Sequence, residues 1–255
     1  MAELLRTENL RKFFGVVSAA DNIDLRIEEG ALTSIIGPNG AGKTTLINLL
    51  TGNLPADSGK IFFRGEEITH LPIHKRVKKG ISRSFQIMNI FPKLSVYENI
   101  QIPVFSFFNR SLRFFRPTSQ HVDVNERVEN LLKEIGLADK KGLPAGTLSH
   151  GDQRLLEIGL AMASEPKLLF LDEPTAGMNP VERVKVLENI RRLSEEKQST
   201  FVIIEHDMDI VFSLSDRIIV LHRGQILADG APKAIKRNED VRKVYLGEEI
   251  FWEKE

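Results

Sequence analysis

The stretch from Leu32 to Leu54, LTSIIGPNGAGKTTLINLLTGNL, constrains this chain more than any other, because a short apolar run meets a glycine-rich turn that opens into a helical pattern. It reads as strand, phosphate loop, helix. Gly37 begins the pattern G-x-x-x-x-G-K-[ST], which Gly42, Lys43 and Thr44 complete. The glycines at 37, 40 and 42, with Pro38, Asn39 and Ala41 between them, let backbone N–H groups close on an oxyanion without a Cβ in the way. The start of the helix adds unpaired N–H groups and the positive end of its dipole. In this pattern Lys43 reaches the β- and γ-phosphates, Thr44 ligates Mg²⁺, and Thr45 is placed toward the α-phosphate. A glycine turn that merely precedes a helix does not require all of these positions to be filled.

A chain of 255 residues can bury a sizeable core as one large domain or two small ones. Lys+Arg and Asp+Glu both number 35, so no net charge points to a nucleic-acid partner. The absence of cysteine excludes disulfides and thiolate metal sites and fits a reducing compartment. The first residues, MAELLRTENLRKFFG, are interrupted by charges and lack the apolar core of a secretion signal. No apolar run approaches the ~20 residues that cross a bilayer, so any work at a membrane is done from outside the lipid.

Before the phosphate loop, Ile23, Leu25 and Ile27 alternate with Asp24, Arg26 and Glu28, the period of a half-buried strand ending at Glu29-Gly30. Ser58 to Phe63 gives a second strand, and the two suggest a small antiparallel sheet beside the phosphate-loop core. Phe13-Phe14-Gly15 offers an aromatic face that either stacks on a purine or packs into the core. His70 to Lys79 is basic and reads as a solvated face. From Gly80 to about Pro144 the signals turn helical, with Val128, Leu131, Leu132 and Ile135 at three- and four-residue spacing. Phe105, Phe107, Phe108, Phe114 and Phe115 crowd a segment that holds Arg110, Arg113 and Arg116; they form either a gripping patch or the core of a small helical unit.

Leu148 to Arg154, LSHGDQR, precedes a helix carrying Leu155, Leu156, Ile158, Leu160 and Met162. Ser149 as N-cap with Asp152 three residues later reads as a capping box, and a capped start with a hydroxyl and a glycine is also a phosphate receptor. Lys167 to Glu173, KLLFLDE, is the pattern of a buried parallel strand delivering acids at its C-terminal end, where ligands of open α/β sheets bind. Asp172 is the natural partner of Mg²⁺. Glu173 points differently and can orient or deprotonate a water. A further buried strand, TFVIIE at 200–205, ends in His206, a candidate γ-phosphate contact. Arg217 to Ala228 reads as a hairpin around Arg223-Gly224, and a charged helical tail follows from Asp229 to Phe251-Trp252.

The order of these parts resembles the ATP-binding subunit of an ABC transporter over nearly the whole chain: the loop at 37–45, Gln86, LSHGDQR, LLFLDEP at 168–174, AGMN at 176–179 and His206. Within that family, RSFQ, the S-x-G-D-Q-R form, IEHDM and VYLGE most resemble ATPases of branched-chain (hydrophobic) amino acid importers. The resemblance implies an α/β P-loop NTPase with a RecA-like core, an antiparallel β subdomain and an inserted helical subdomain, in one ABC domain overall. The expected divisions are 1–86, antiparallel sheet and first part of the core; 87–160, helical subdomain with signature; 161–230, remainder of the core; and 231–255, C-terminal helical extension.

It further implies ATP and Mg²⁺ as ligands, Phe14 on the adenine, and Gln86 linking Mg²⁺ and water to the membrane subunits. Ser149 and Gly151 would meet the γ-phosphate held by the other subunit, Glu173 would be the general base, and His206 the γ-phosphate switch. One copy of each motif implies a second ATP-binding subunit, alike or related. Permease subunits and, indirectly, an external substrate-binding protein are the other expected partners, with no nucleic acid, and the chain is expected on the cytoplasmic face of the membrane. His150 stands where the common signature has glycine, and Asn179 replaces the usual aspartate. A non-transport ABC ATPase would resemble fused modules or carry long coiled coils, and a small-molecule kinase would not explain residues 148–154 or His206. An ATPase serving another transported substance shares every motif.

Overall fold

The computed structural model describes residues 2–84, 90–108 and 122–245. Gln86, Arg110, Arg113, Phe114, Phe115, Arg116, Phe251 and Trp252 lie outside the described residues. From the N-terminus, β1 (Glu3–Phe14), β2 (Val17–Ile23) and β3 (Arg26–Glu28) lead into β4 (Thr33–Ile36) and α1 (Lys43–Thr51). Next come β5 (Ser58–Phe63), β6 (Glu66–Glu67), α2 (Ile73–Lys79) and β7 (Ile81–Arg83). Three helices follow, α3 (Val96–Phe107), α4 (Val122–Glu134) and α5 (His150–Met162). The chain then alternates through β8 (Leu168–Asp172), α6 (Pro180–Glu195), β9 (Thr200–Ile204), α7 (Met208–Leu214), β10 (Arg217–His222) and β11 (Gln225–Gly230). It ends in α8 (Pro232–Arg237) and α9 (Glu239–Val244).

The main sheet runs β11-β10-β4-β9-β8-β7 and is parallel from β10 to β7. The antiparallel β11 closes one edge as the second arm of the expected hairpin. Because β8 and β9 are buried on both faces, their residues divide between two cores. Leu169, Leu171, Phe201 and Ile203 pack with the helices α3 to α6. Leu168, Phe170, Val202 and Ile204 pack with α1 and the antiparallel sheet. That division is why both strands read as unbroken apolar runs rather than as alternation.

The antiparallel sheet is ordered β2-β1-β5-β6, with β3 also on β1. Its central strand β1 is the longest among the described residues, and no sequence signal announced it. Asn9 has a positive φ of 48°, and the registers of β1 with β2 and β5 shift around residues 8 to 13, so apolar alternation is interrupted. The Ile23-Leu25-Ile27 pattern is divided between β2 and β3, with Asp24-Leu25 outside both strands, although all three apolar residues are buried. Val128, Leu131, Leu132 and Ile135 are buried in the helical core as their spacing implied.

The basic run 70–79 is not simply a solvated face. Arg76 is only 2% exposed. Its guanidinium donates to the carbonyls of Leu49 at 2.7 Å and Leu50 at 2.8 Å, at the C-terminal end of α1. It also donates to the carbonyls of Thr69 at 2.8 Å and Leu71 at 2.9 Å. A helix leaves its last carbonyls unpaired, and a cation placed there answers both those acceptors and the negative end of the dipole. Burial lowers the Arg76 pKa to about 10, which still leaves it charged at neutral pH.

Candidate functional site

β4 delivers the phosphate loop from the middle of the main sheet, and α1 leads away from it. Gly42, at the N-cap of α1, has φ 103°, and no side chain caps the helix start. A Cβ on Gly42 would stand 2.3 Å from the Ala19 carbonyl oxygen, and one on Gly37 would stand 2.3 Å from that of Leu221. Glycine at both positions is therefore enforced by neighbouring backbone. Lys43 folds back to donate to the carbonyls of Gly37 at 2.6 Å and Pro38 at 3.1 Å. Burial lowers the Lys43 pKa, opposed by the charges of Glu173 and Asp172.

Asn39, Gly40, Ala41, Gly42, Lys43, Thr44 and Thr45 line a cavity of about 270 Å³ whose other walls include Asp172, Glu173 and His206. Residues 130 apart in sequence thus converge because β4, β9 and β8 are neighbours ending on the same side of one sheet. Asp172 closes β8 and is 2% exposed. One of its oxygens, Oδ2, accepts from Arg83 Nη2 at 2.6 Å. Glu173 follows with φ 45°, a left-handed turn that swings it away from the strand direction. Its Oε1 lies 2.9 Å from His206 Nε2, and both side chains are solvent-accessible. The arrangement puts a carboxylate and an imidazole together at the mouth of a cavity ringed by backbone N–H groups and an ammonium. That suits a polyphosphate and an attacking water.

Phe14 is 51% exposed and Lys12 Nζ lies 5.8 Å from its ring centroid, so it is not core. It does not line the cavity among the described residues; Val17 and Ala19 do. Ser149 and Gly151 also stand apart from it, at the start of α5. Ser149 is the N-cap and accepts from the Asp152 N–H at 3.2 Å. The other half of the expected capping box is replaced. The buried Asp152 carboxylate instead takes Lys140 and, at 2.5 Å, Lys185, which hold its pKa down against the opposing effect of burial. A complete capping box occurs instead at Ser95 and Glu98 on α3. The Gly151 N–H donates to Glu182 Oε1 at 3.2 Å, and Asn179 Nδ2 donates to Glu182 Oε2 at 2.8 Å. Asn179 also caps α6, accepting from Val181 and Glu182.

Two further polar residues were not singled out by sequence. Glu205 is 5% exposed and accepts from the Thr175 hydroxyl at 2.7 Å, the Thr175 N–H at 3.3 Å and the His206 N–H at 3.3 Å. It pins the segment after Glu173 to the residue before the histidine, and burial raises its pKa against those hydrogen bonds. Arg83 is the second, reaching Asn48 Oδ1 at 2.6 Å as well as Asp172. A larger groove of about 940 Å³ opens on its other side, walled by Ile73 and Val77 of α2, Ile102, Pro103 and Phe107 of α3, and Arg83 itself. Ile73, Val77 and Phe107 are exposed large hydrophobics.

A phosphate loop on a central parallel strand, acids closing a strand one removed, and a histidine after the strand between them define an α/β P-loop ATPase. The ABC transporter sequence profile matches residues 20–176, and a profile of branched-chain amino acid ATP-binding cassette transporters matches residues 225–250. The chain belongs to the ABC transporter ATP-binding family. It is 40% identical over 250 residues to the high-affinity branched-chain amino acid transport ATP-binding protein BraF of Pseudomonas aeruginosa, covering 96% of this chain and 98% of that one. Its fold is similar to the ADP conformation of an ATP-binding cassette of an ABC transporter, with TM-score 0.85 and 33% identity over 97% of this chain and all of the other. A dimeric cassette in a post-hydrolysis state, bound to ADP and Pi, aligns with TM-score 0.73 and 25% identity over 90% of this chain and 99% of its own.

Proposed function

We propose that this ATPase powers uptake of branched-chain or other hydrophobic amino acids, through ATP-driven closure of two cassettes on each other. The observation that carries the ATPase chemistry is the single cavity joining the phosphate loop to Asp172, Glu173 and His206. The names of its relatives supply the substrate class. In this reading the loop N–H groups and Lys43 neutralise the phosphates, Glu173 orients and deprotonates the water, and His206 holds Glu173 and the γ-phosphate in register. The Thr44 hydroxyl and the Asp172 carboxylate are hard oxygen donors on one cavity wall, a set suited to Mg²⁺. Bound there, Mg²⁺ would offset charge on the β- and γ-phosphate oxygens.

Ser149 and Gly151 lie outside that cavity, which agrees with their serving the nucleotide of a partner cassette. Engagement would require the Gly151 N–H to leave Glu182. Loss of the γ-phosphate then removes the contacts that favour closure, and the pair reopens. The apolar groove beside Arg83 suits a permease segment, and the chain works as a peripheral subunit on the cytoplasmic face; none of its described helices is long and apolar enough to cross a membrane.

The test is Glu173→Gln. It should retain ATP binding within a few-fold while hydrolysis falls by about 10²- to 10⁴-fold, the range for a lost general base. Turnover near that of the parent protein would remove Glu173 from this role. Reconstitution with candidate permease subunits, followed by uptake of labelled leucine, tests the substrate class separately.

A further inference from the structure

Arg83 bonds to an acid of the nucleotide cavity and also lines a separate groove. Its guanidinium bridges the helix that follows the phosphate loop, through Asn48 Oδ1, and the strand that carries the acids, through Asp172 Oδ2, both at 2.6 Å. The same side chain lines the 940 Å³ groove and a smaller neighbouring cavity of about 250 Å³, with Ile102, Pro103, Leu160 and Ala161 of α3 and α5 common to both walls. Its Nε is buried with no hydrogen-bond partner among the described residues, so Nη1 serves Asn48, Nη2 serves Asp172 and the third donor group is unspent. An Arg–carboxylate pair fixed at both ends by further bonds is a rigid link, whereas an arginine with an unspent buried donor has a second position to gain from.

We propose that Arg83 is a positioning residue that passes the state of the groove to Asp172, holding that carboxylate while the groove is empty and yielding it when the groove is filled. In the free cassette the guanidinium serves Asp172 as a resident cation. A divalent ion approaching the same carboxylate meets a positive charge already in place, and the two compete. A side chain inserted against Ile102, Pro103 and Ala161, which share a wall with Arg83, displaces the Arg83 stem and draws Nη2 off Asp172. The carboxylate is then free for the metal. The groove's role as a docking site rests on the function proposed above, but the link from groove to carboxylate does not.

The experiment uses the isolated chain saturated with ADP and follows Mn²⁺ binding by electron paramagnetic resonance. Arg83→Met should tighten Mn²⁺ by about tenfold, the order exerted by one charge a few ångström from a partly screened site. Arg83→Lys, which keeps the charge without the two-point bridge, should fall between. Ala161→Phe, which fills the groove, should tighten Mn²⁺ in the parent chain and add nothing in the Arg83→Met background. Ile102→Trp serves the same purpose if Ala161→Phe melts early. ADP binding in EDTA should stay within about twofold throughout, and this readout together with circular dichroism reports the fold.

A purely structural ion pair predicts the opposite, with Mn²⁺ affinity unchanged or weakened in Arg83→Met, and that result overturns the proposal. Tightening in Arg83→Met with no effect of either groove-filling variant overturns the coupling. Because no permease is present, failure of the docking assignment leaves these outcomes intact.

Discussion

Replacing Arg76 by methionine should be among the most destabilising single changes in this protein, although its hydrogen-bond partners among the described residues, Leu49, Leu50, Thr69 and Leu71, are not nucleotide-site residues. Four carbonyl oxygens converge on the guanidinium, two of them from the last turn of α1. Hydrogen bonds to charged groups contribute about 1.5–3 kcal/mol each, and the cost of burying the cation offsets much of the sum. What the substitution leaves behind decides the outcome. Methionine fills part of the volume and offers no donor, so four carbonyls lose the guanidinium in a site only 2% exposed, although that of Leu49 keeps the Gly52 N–H at 3.3 Å. The expected loss is about 3–5 kcal/mol. At about 2–4 °C per kcal/mol for a domain of this size, the melting temperature should fall by roughly 6–20 °C.

Arg76→Lys keeps the charge but reaches fewer acceptors, and should recover only part of the loss. Urea unfolding followed by circular dichroism at pH 7 measures both. An Arg76→Met variant within about 1 kcal/mol of the parent, with an unchanged denaturant slope, would show that water or a shift of α2 satisfies those carbonyls and that the guanidinium does not hold the end of α1.

The raised pKa of Glu205 gives a pH signature. An acid whose folded pKa lies above its unfolded value, about 4.5, binds its proton more tightly when folded, so its contribution to stability is present below that value and is lost as pH rises through the folded pKa. Thermal melts across pH 4 to 8 should therefore shift in favour of Glu205→Gln as pH rises; parallel curves would contradict this. Gly42→Ala places a Cβ 2.3 Å from the Ala19 carbonyl oxygen at φ 103°. Isothermal titration should find ATP affinity reduced by at least about tenfold, with a stability loss of about 2–4 kcal/mol, and affinity within twofold of the parent would mean that the loop relaxes at little cost.

Much of the fold was legible because local signals agreed with tertiary placement. The loop from Gly37 to Thr45, the apolar runs before Asp172 and His206, and the helical spacing of Val128 to Ile135 each carry their own period or motif. The residues that escaped notice depend on partners distant in sequence. Arg76 looks like any surface arginine until the carbonyls of Leu49 and Leu50 arrive beneath it. Asp152 has the spacing of a capping box, yet two lysines from other segments outcompete the local backbone for its carboxylate. β1 was hidden by the bulges that bend it around the core. In the candidate site, the sequence identified the cavity-lining acids and histidine but not Glu205 or Arg83, whose roles exist only through contacts spanning 30 to 89 residues.

The two-sided burial of β8 reaches into the chemistry. With every side chain of Leu168 to Leu171 claimed by one core or the other, this strand cannot slide by a residue without driving each of them into the wrong layer. The aim of Asp172 and Glu173 is thereby fixed by four hydrocarbon neighbours upstream. A repacking variant at Leu169 or Phe170 would alter catalysis without touching a polar atom, through the angle at which two carboxylates leave the sheet.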